Sequence, residues 1–397
     1  MANETKKSLK KGGGMKQYGM MIMLIVVYVL FAFITKGKNL TPMNINNLIM
    51  QNGYVVILAV GMLLCVLTGN VDLGVGSVVA ASGAVAGTLI IDMGWSAPMA
   101  MLGALAVGVC FGVFVGFFVA YVQIPPFIVT LATMLMGRGL CYVILQAQTK
   151  GPLPASYNWI GTGFLPVLRI GEGSMNAGKG VDALCLIVAA VITVLLVMGQ
   201  IKSINTAKKH NLPIDPMWQI LLKNVVLIGI VWFFFYKLAC YNGIPVVLIL
   251  MAAIAAVYHF ITTKTVAGRQ IYAMGGNAKA ARLSGINTKK VFFWVYANMG
   301  ILAAVAGIVL SARNQSATPK AGDSFEMDAI ASCYIGGAAT SGGSGTIVGA
   351  VIGAFVMGIL NNGMSLAGYD TNIQKIVKGM VLLGAVTFDL VSKRKKK

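Results

Sequence analysis

Charge is what this sequence has least of. Of its 397 residues, 11% are Asp, Glu, Lys or Arg, against about 25% in a soluble domain. Eleven carboxylates and two histidines leave little from which to build acid–base or metal chemistry. His210 and His259 have no carboxylate neighbours at ligand spacing, and no hydrolase or oxidoreductase constellation is present. Six cysteines, Cys65, Cys110, Cys141, Cys185, Cys240 and Cys333, form no C-x-x-C pair. Lying mostly inside apolar runs, they read as buried small hydrophobes rather than disulfides or metal ligands. One segment, Gly173 to Gly180 (GSMNAGKG), imitates a phosphate loop. It lacks the following Ser/Thr and a preceding strand, so it reads as an outer loop, and ATP hydrolysis by this chain alone is not expected.

What is abundant is apolar surface: 57% of residues are hydrophobic and mean hydropathy is +0.81. That is more than a soluble fold can hide. Helices of about 20 apolar residues, each satisfying its own backbone, are the expected answer. Twelve apolar segments can be drawn, near 18–35, 48–69, 74–90, 97–121, 127–146, 181–199, 223–238, 244–261, 291–312, 326–340, 345–362 and 372–391. The short ones at 74–90 and 326–340 adjoin Gly-rich stretches, and either could be re-entrant. The 48 glycines suit close helix approach in a membrane. The first segment is too long for a signal-peptide core and no cleavage pattern follows it, so it is expected to stay as an anchor.

The 31 Lys and Arg give a net charge of +20, and their placement makes this a topology signal rather than a nucleic-acid footprint. With the N-terminus inside, twenty fall on predicted inner segments: the basic N-terminus 1–17, 200–223, 262–290 and the basic tail 392–397. Seven fall on outer loops at 36–47, 147–180 and 313–325. This positive-inside bias predicts a transmembrane domain at 18–391 with both termini cytoplasmic. Residues 181–238 read as an inserted hairpin, since removing them preserves the alternation.

Gly-rich stretches recur at 68–77 (TGNVDLGVGS) and 336–345 (GGAATSGGSG). They fit either interrupted helices at the interface of repeated halves or turns joining short hairpins. The inner loop KTVAGRQIYAMGGNAKAARLSGINTKK (264–290) is the longest between spans. Within it Asn277 can cap a short helix that Gly285 ends. Such a helix fits a docking partner, and equally an ordinary solvated loop. Ionisable groups within spans are costly and default to functional hypotheses. Asp72, Glu326 and Asp328 lie near predicted helix starts, where N-terminal capping is the plainer role. Arg138 sits mid-span and requires a partner or a watery cavity, and Lys378 lies within the last span. Asn361 and Asn362 suit hydrogen bonds between helices.

Four motifs, LTGNVDLGVGS (67–77), PPFIVTLATMLMGRG (125–139), GRQIYAMGGNAKAARLSGIN (268–287) and the Gly-rich run AGDSFEMDAIASCYIGGAATSGGSGTIVGAVIGAFVMGILNNG (321–363), occur in that order. With them the chain resembles the permease subunits of monosaccharide ABC importers of the ribose, xylose and galactose kind. The extra hairpin resembles the longer xylose or multiple-monosaccharide branch. The resemblance implies an all-α, polytopic membrane helix bundle of type II-like importer fold, with ten family helices plus the hairpin. It implies a homodimer in the bacterial inner (plasma) membrane, working with a cytoplasmic ATP-binding subunit and an extracytoplasmic sugar-binding protein. ATP and Mg would be held by the ATPase partner, with no cofactor in this chain. The 262–290 loop then supplies ATPase coupling through Gly268, Arg269, Gly276, Asn277, Ala280, Ala281, Arg282 and Gly285. The translocation pathway would draw on Gly69, Asn70, Asp72, Gly74, Gly76, Ser77, Phe127, Thr130, Arg138, Glu326, Asp328, Gly336, Gly337, Asn361 and Asn362. An ion-driven carrier would need a carboxylate relay, and a membrane scaffold would use the basic loop only for docking.

Overall fold

The computed structural model describes residues 20–170, 180–210 and 216–394. The basic N-terminus and most of the phosphate-loop imitation lie outside the described residues, as do 395–397 of the tail.

Each predicted apolar segment forms a helix. In chain order they are α1 (Met20–Ile34), α2 (Pro42–Leu67), α3 (Val75–Ile91), α4 (Ala97–Phe117) and α5 (Pro126–Leu145). After a short α6 (Ala155–Thr162) come α7 (Ala183–Lys209), α8 (Met217–Ala239) and α9 (Val246–Lys264). The 262–290 loop holds two helices, α10 (Val266–Gly276) and α11 (Ala278–Leu283). The chain closes with α12 (Thr288–Asn314), α13 (Phe325–Ile335), α14 (Ile347–Leu366) and α15 (Thr371–Arg394). Eight of these are long and apolar enough to cross a membrane, with α1 and α3 as shorter apolar helices. The only strands among the described residues are a two-residue ribbon, β1 (Arg169–Ile170) against β2 (Val181–Asp182), at the start of α7.

Burial sorts the helices into an inner set and a periphery. The apolar windows of α2, α12 and α14 are 83%, 72% and 67% buried, while those of α7 and α8 are 11% and 6% buried. Helix α12 meets α4 backbone to backbone. A Cβ on Gly108 would strike the Gly300 carbonyl, and one on Gly112 the Ala297 carbonyl. Small residues thus replace the hydrophobic drive that lipid removes between helices. The hairpin α7–α8 packs mainly on itself, as an insertion should, and touches α2.

Four sequence expectations need correction. Cys110 is exposed on α4 rather than buried; in a spanning helix that surface faces an apolar solvent, so a cysteine fits either way. Helix α7 runs ten residues beyond its predicted end because Lys202, Lys208 and Lys209 extend it past the apolar core. Helix α13 stops at Ile335, short of the predicted 340, where Gly336 and positive-φ Gly337 break it. The fourth concerns residues 313–325, expected as an outer loop. Ala317 packs against Gly87 and Gly322 against Gly76, so the segment runs back along α3. Its backbone is a run of turns, with the Ala321 amide donating to the Thr318 carbonyl at 3.1 Å and Gly322 and Ser324 at positive φ. The 315–324 segment is therefore a folded, re-entrant strap laid against α3, and α13 begins beside the start of that helix.

Candidate functional site: a glycine knot and a mid-bundle polar cluster

Two assemblies of functional residues stand out. The first lies at the basic end of the bundle, where α9 ends, α12 starts and α10–α11 sit between them. There the two Gly-rich breaks meet each other. The Gly343 amide donates to the Leu67 carbonyl at 2.9 Å, and Gly69 lies against Ser341. Gly69, Gly337, Gly342 and Gly343 all have positive φ, which only glycine adopts cheaply. Asp389 of α15 fixes the second break, accepting from the Thr340 amide and hydroxyl at 3.3 and 3.2 Å.

The far end of α10 presses on this knot. A Cβ on Gly275 would collide with the Leu67 carbonyl oxygen and the Gly343 amide. Tyr272 donates its hydroxyl to the Gly345 carbonyl at 2.7 Å. Gly275 and Tyr272 carry the link, and sequence reasoning missed both; a Gly-Gly pair after an aromatic was the only available signal. Gly268 is buried against the end of α9, where a Cβ would strike Ile261 and Thr262. Thr265 caps α10 and Asn277 caps α11, its side chain accepting from Ala280 N at 3.0 Å. Gly285 ends α11 with φ 85°. Ala281 faces inward, while Arg269, Gly276, Asn277, Ala280, Arg282 and Gly285 are exposed. Leu283, absent from the predicted set, is 90% exposed. The 262–290 segment contains six Lys/Arg and no carboxylate.

The second assembly surrounds the start of α13. Arg138 sits twelve residues past Pro126, roughly 18 Å along α5. Its Nη1 donates to the carbonyls of Pro319 and Ala321 at 3.0 and 2.6 Å. The cation thus supplies donors to carbonyls of a non-helical strap that has no helical partners for them. Asp328 is 1% exposed and pairs through Oδ2 with Lys378 Nζ of α15 at 2.9 Å. Asn361 of α14 donates to the same oxygen at 3.4 Å. Glu326 lies beside Gly76 in the first turn of α13, where the helix dipole favours a carboxylate. Tyr54 of α2 stacks on Phe325 with ring centroids 4.1 Å apart. Asp323 and Lys375 form an ion pair at 2.7 Å on the open face of this cluster, with 59% and 52% of their side chains exposed.

The remaining predicted residues distribute as follows. Asp72 is buried, and its carboxylate accepts from Gly74 N at 2.8 Å, fixing the turn into α3 while Gly74 itself occupies the N-cap. Asn70 bonds back to Thr68. Gly74 abuts Thr130, and Ser77 abuts Gly137, which seats α5 on the first break. Asn362 stands apart from both assemblies: it exchanges amide hydrogen bonds with Asn44 at 2.9 and 3.1 Å, tying α14 to α2. Phe127 is exposed on α5 and joins neither assembly. No group of three or more His, Cys, Asp or Glu able to hold a metal occurs among the described residues.

Arg138→Met is expected to leave two carbonyls without donors, at about 1–3 kcal/mol for each buried unpaired group. The fraction folded in an SDS titration should fall accordingly, and Arg138→Lys should recover part of the loss. An unchanged titration midpoint for Arg138→Met would refute the role assigned to this residue.

Residues 44–386 match the family model described as "Branched-chain amino acid transport system / permease component". The xylose transport system permease protein XylH of Escherichia coli K12 is 35% identical over 401 aligned residues, covering 99% of this chain and 98% of that one. The ribose import permease protein RbsC of Escherichia coli K12 is 34% identical, covering 92% of each chain. Its Bacillus subtilis counterpart is 31% identical, covering 94% and 90%. No solved structure matches.

Proposed function

This chain belongs to the permease-component family of the branched-chain amino acid transport system, and we propose that it is the membrane subunit of an importer that carries a monosaccharide of the xylose or ribose kind. The sugar reading rests on similarity along nearly the whole chain, hairpin included, to a permease named for xylose transport. A neutral polyol suits a chain whose mid-bundle charges are largely paired among themselves.

The basic end lies in the cytoplasm, as the positive-inside bias implies. There α10–α11 dock on a separate ATP-binding subunit through Leu283, Ala280, Arg282 and the glycines around them. An acidic cleft on that subunit would complement a loop of six cations and no anion. The chain contributes no catalytic residues; ATP and Mg belong to the partner. Closure of the partner pushes on α10, and Gly275 passes the displacement to both helix breaks at once. The exposed Asp323–Lys375 pair, with Arg138 and Glu326, cannot face lipid at low cost. That face therefore lines the path between two copies of the chain, and an external sugar-binding protein delivers to its far end.

The test is co-purification with the candidate ATP-binding subunit. Burying Leu283 in a cleft is worth about 1.5–3 kcal/mol, so Leu283→Asp should weaken association by roughly 10–100-fold. Gly285→Arg should do likewise while the bundle stays folded, since nothing lies within 4 Å of a Cβ there and the strain of an arginine at φ 85° falls on the end of α11 alone. Undiminished association of both variants would remove α11 as the docking element.

A further inference from the structure

The α7–α8 hairpin takes no part in the knot or in the mid-bundle cluster. Most of its buried residues gather at one end: Ala183, Cys185 and Ala189 of α7, with Phe235, Leu238 and Ala239 of α8, while among the described residues Ile220 alone is buried at the other. At the other, basic end the hairpin is largely exposed, and its sequence there changes character along a single face of α7.

Twenty residues from Ala183 cover about 30 Å, the thickness of the hydrocarbon core. Lys202 therefore sits near the core boundary, and Lys209 roughly 10 Å beyond it, at headgroup depth. An open cleft of about 380 Å³ runs along this stretch, lined by Met198, Ile201, Lys202, Asn205, Thr206 and Lys209. Along the helix the lining passes from Met198 and Ile201 to a polar stretch in which Lys202 and Lys209 bracket Asn205 and Thr206, so an apolar section for a phospholipid chain is followed by a cationic one for its headgroup. Neither α7 nor α8 contains an Asp or Glu to neutralise the lysines. A second cleft of about 480 Å³ opens between α1 and the same end of α8, walled by Met21, Ile22, Ile25, Leu222 and Val226 under Trp218. Trp218 is 64% exposed, the position of an interfacial aromatic.

We propose that the basic end of this hairpin is a binding site for an anionic phospholipid of the adjoining leaflet. Lys202 and Lys209 hold the phosphate, Asn205 and Thr206 its ester oxygens, and Met198 and Ile201 the upper acyl chain. The α1–α8 cleft provides further acyl room. Basic pockets at helix ends on the positive side of a membrane select such lipids by charge, at about 1 kcal/mol per cation. The site stands independently of which solute is carried.

The experiment is native mass spectrometry of the purified full chain, titrated with phosphatidylglycerol or phosphatidylcholine of identical chains. Wild type is expected to retain phosphatidylglycerol with roughly tenfold preference, within the roughly 30-fold that two cations at about 1 kcal/mol each allow. The double variant Lys202→Gln, Lys209→Gln should bind both lipids alike, with an unchanged SDS-titration midpoint because both side chains are exposed. Leu222→Trp, which fills the α1–α8 cleft, should lower retention of both lipids without altering the preference. Equal retention of the two lipids by wild type, or an undiminished preference in the double lysine variant, would overturn the proposal.

Discussion

Gly275→Val should abolish sugar uptake while leaving the ATP-binding subunit attached. The substitution places a branched side chain where the Leu67 carbonyl and the Gly343 amide already touch the Gly275 backbone. Overpacking of this kind costs about 1–3 kcal/mol. Strain near 3 kcal/mol shifts an equilibrium between two arrangements of the knot by roughly 100-fold. The partner binds α11, which lies beyond the lesion, so association survives and transmission fails. Basal ATP hydrolysis should persist without stimulation by the sugar-loaded binding protein. Gly229→Val, on α8 with nothing within 4 Å of its Cβ, is the control and should transport normally. Normal uptake by Gly275→Val would mean that the breaks do not sense α10.

The second large effect concerns the buried pair of Asp328 and Lys378. Lys378→Met leaves a carboxylate that is 1% exposed without a counter-charge. Breaking such a pair from one side costs about 3–5 kcal/mol. Asp328→Leu strands the lysine instead, though that side chain keeps 17% of its surface exposed and should lose less. The double variant Asp328→Leu, Lys378→Met removes both charges and should recover most of the loss, because a packed apolar pair is often no worse than a buried ionic one. The folded fraction during SDS titration reads all three, and a double-mutant cycle isolates the pair term. Equal damage in the double and single variants would show that the residues matter separately, through packing rather than through their bond.

Much of this was legible in the sequence, and the misses share a cause. Hydropathy locates spans because each helix satisfies its own backbone, a local requirement that leaves a local signature. Helix ends are less local. Asn44 and Asn46 read as loop, yet Thr41 caps α2 and Pro42 opens it, and the buried amide of Asn44 is satisfied there by Asn362, 318 residues away. The re-entrant strap shows the same limit more sharply. Residues 315–324 carry the composition of an outer loop, and what lets them enter the bundle is Arg138, 181 and 183 residues from the carbonyls it serves. The sequence flagged Arg138 as needing a partner, since a cation in mid-span cannot stand alone; it could not say that the partner was backbone. Both Gly-rich breaks were visible as compositional stretches, but their contact through Leu67 and Gly343 was not, because glycine carries no side chain to pattern. Asn277 and Gly285 announced α11 by local capping chemistry, whereas α10 was obscured by Gly268, Gly275 and Gly276, two of which are required by close packing rather than by a turn.

Sugar uptake into proteoliposomes tests the central claim most directly. The vesicles would hold this chain with its ATP-binding subunit, a sugar-loaded binding protein outside and ATP inside. Xylose or ribose should accumulate only when chain, partner and ATP are all present, and an uncoupler should leave the rate unchanged. Uptake that proceeds without the partner, or that an uncoupler stops while ATP remains high, would contradict the account and make the chain an ion-driven carrier.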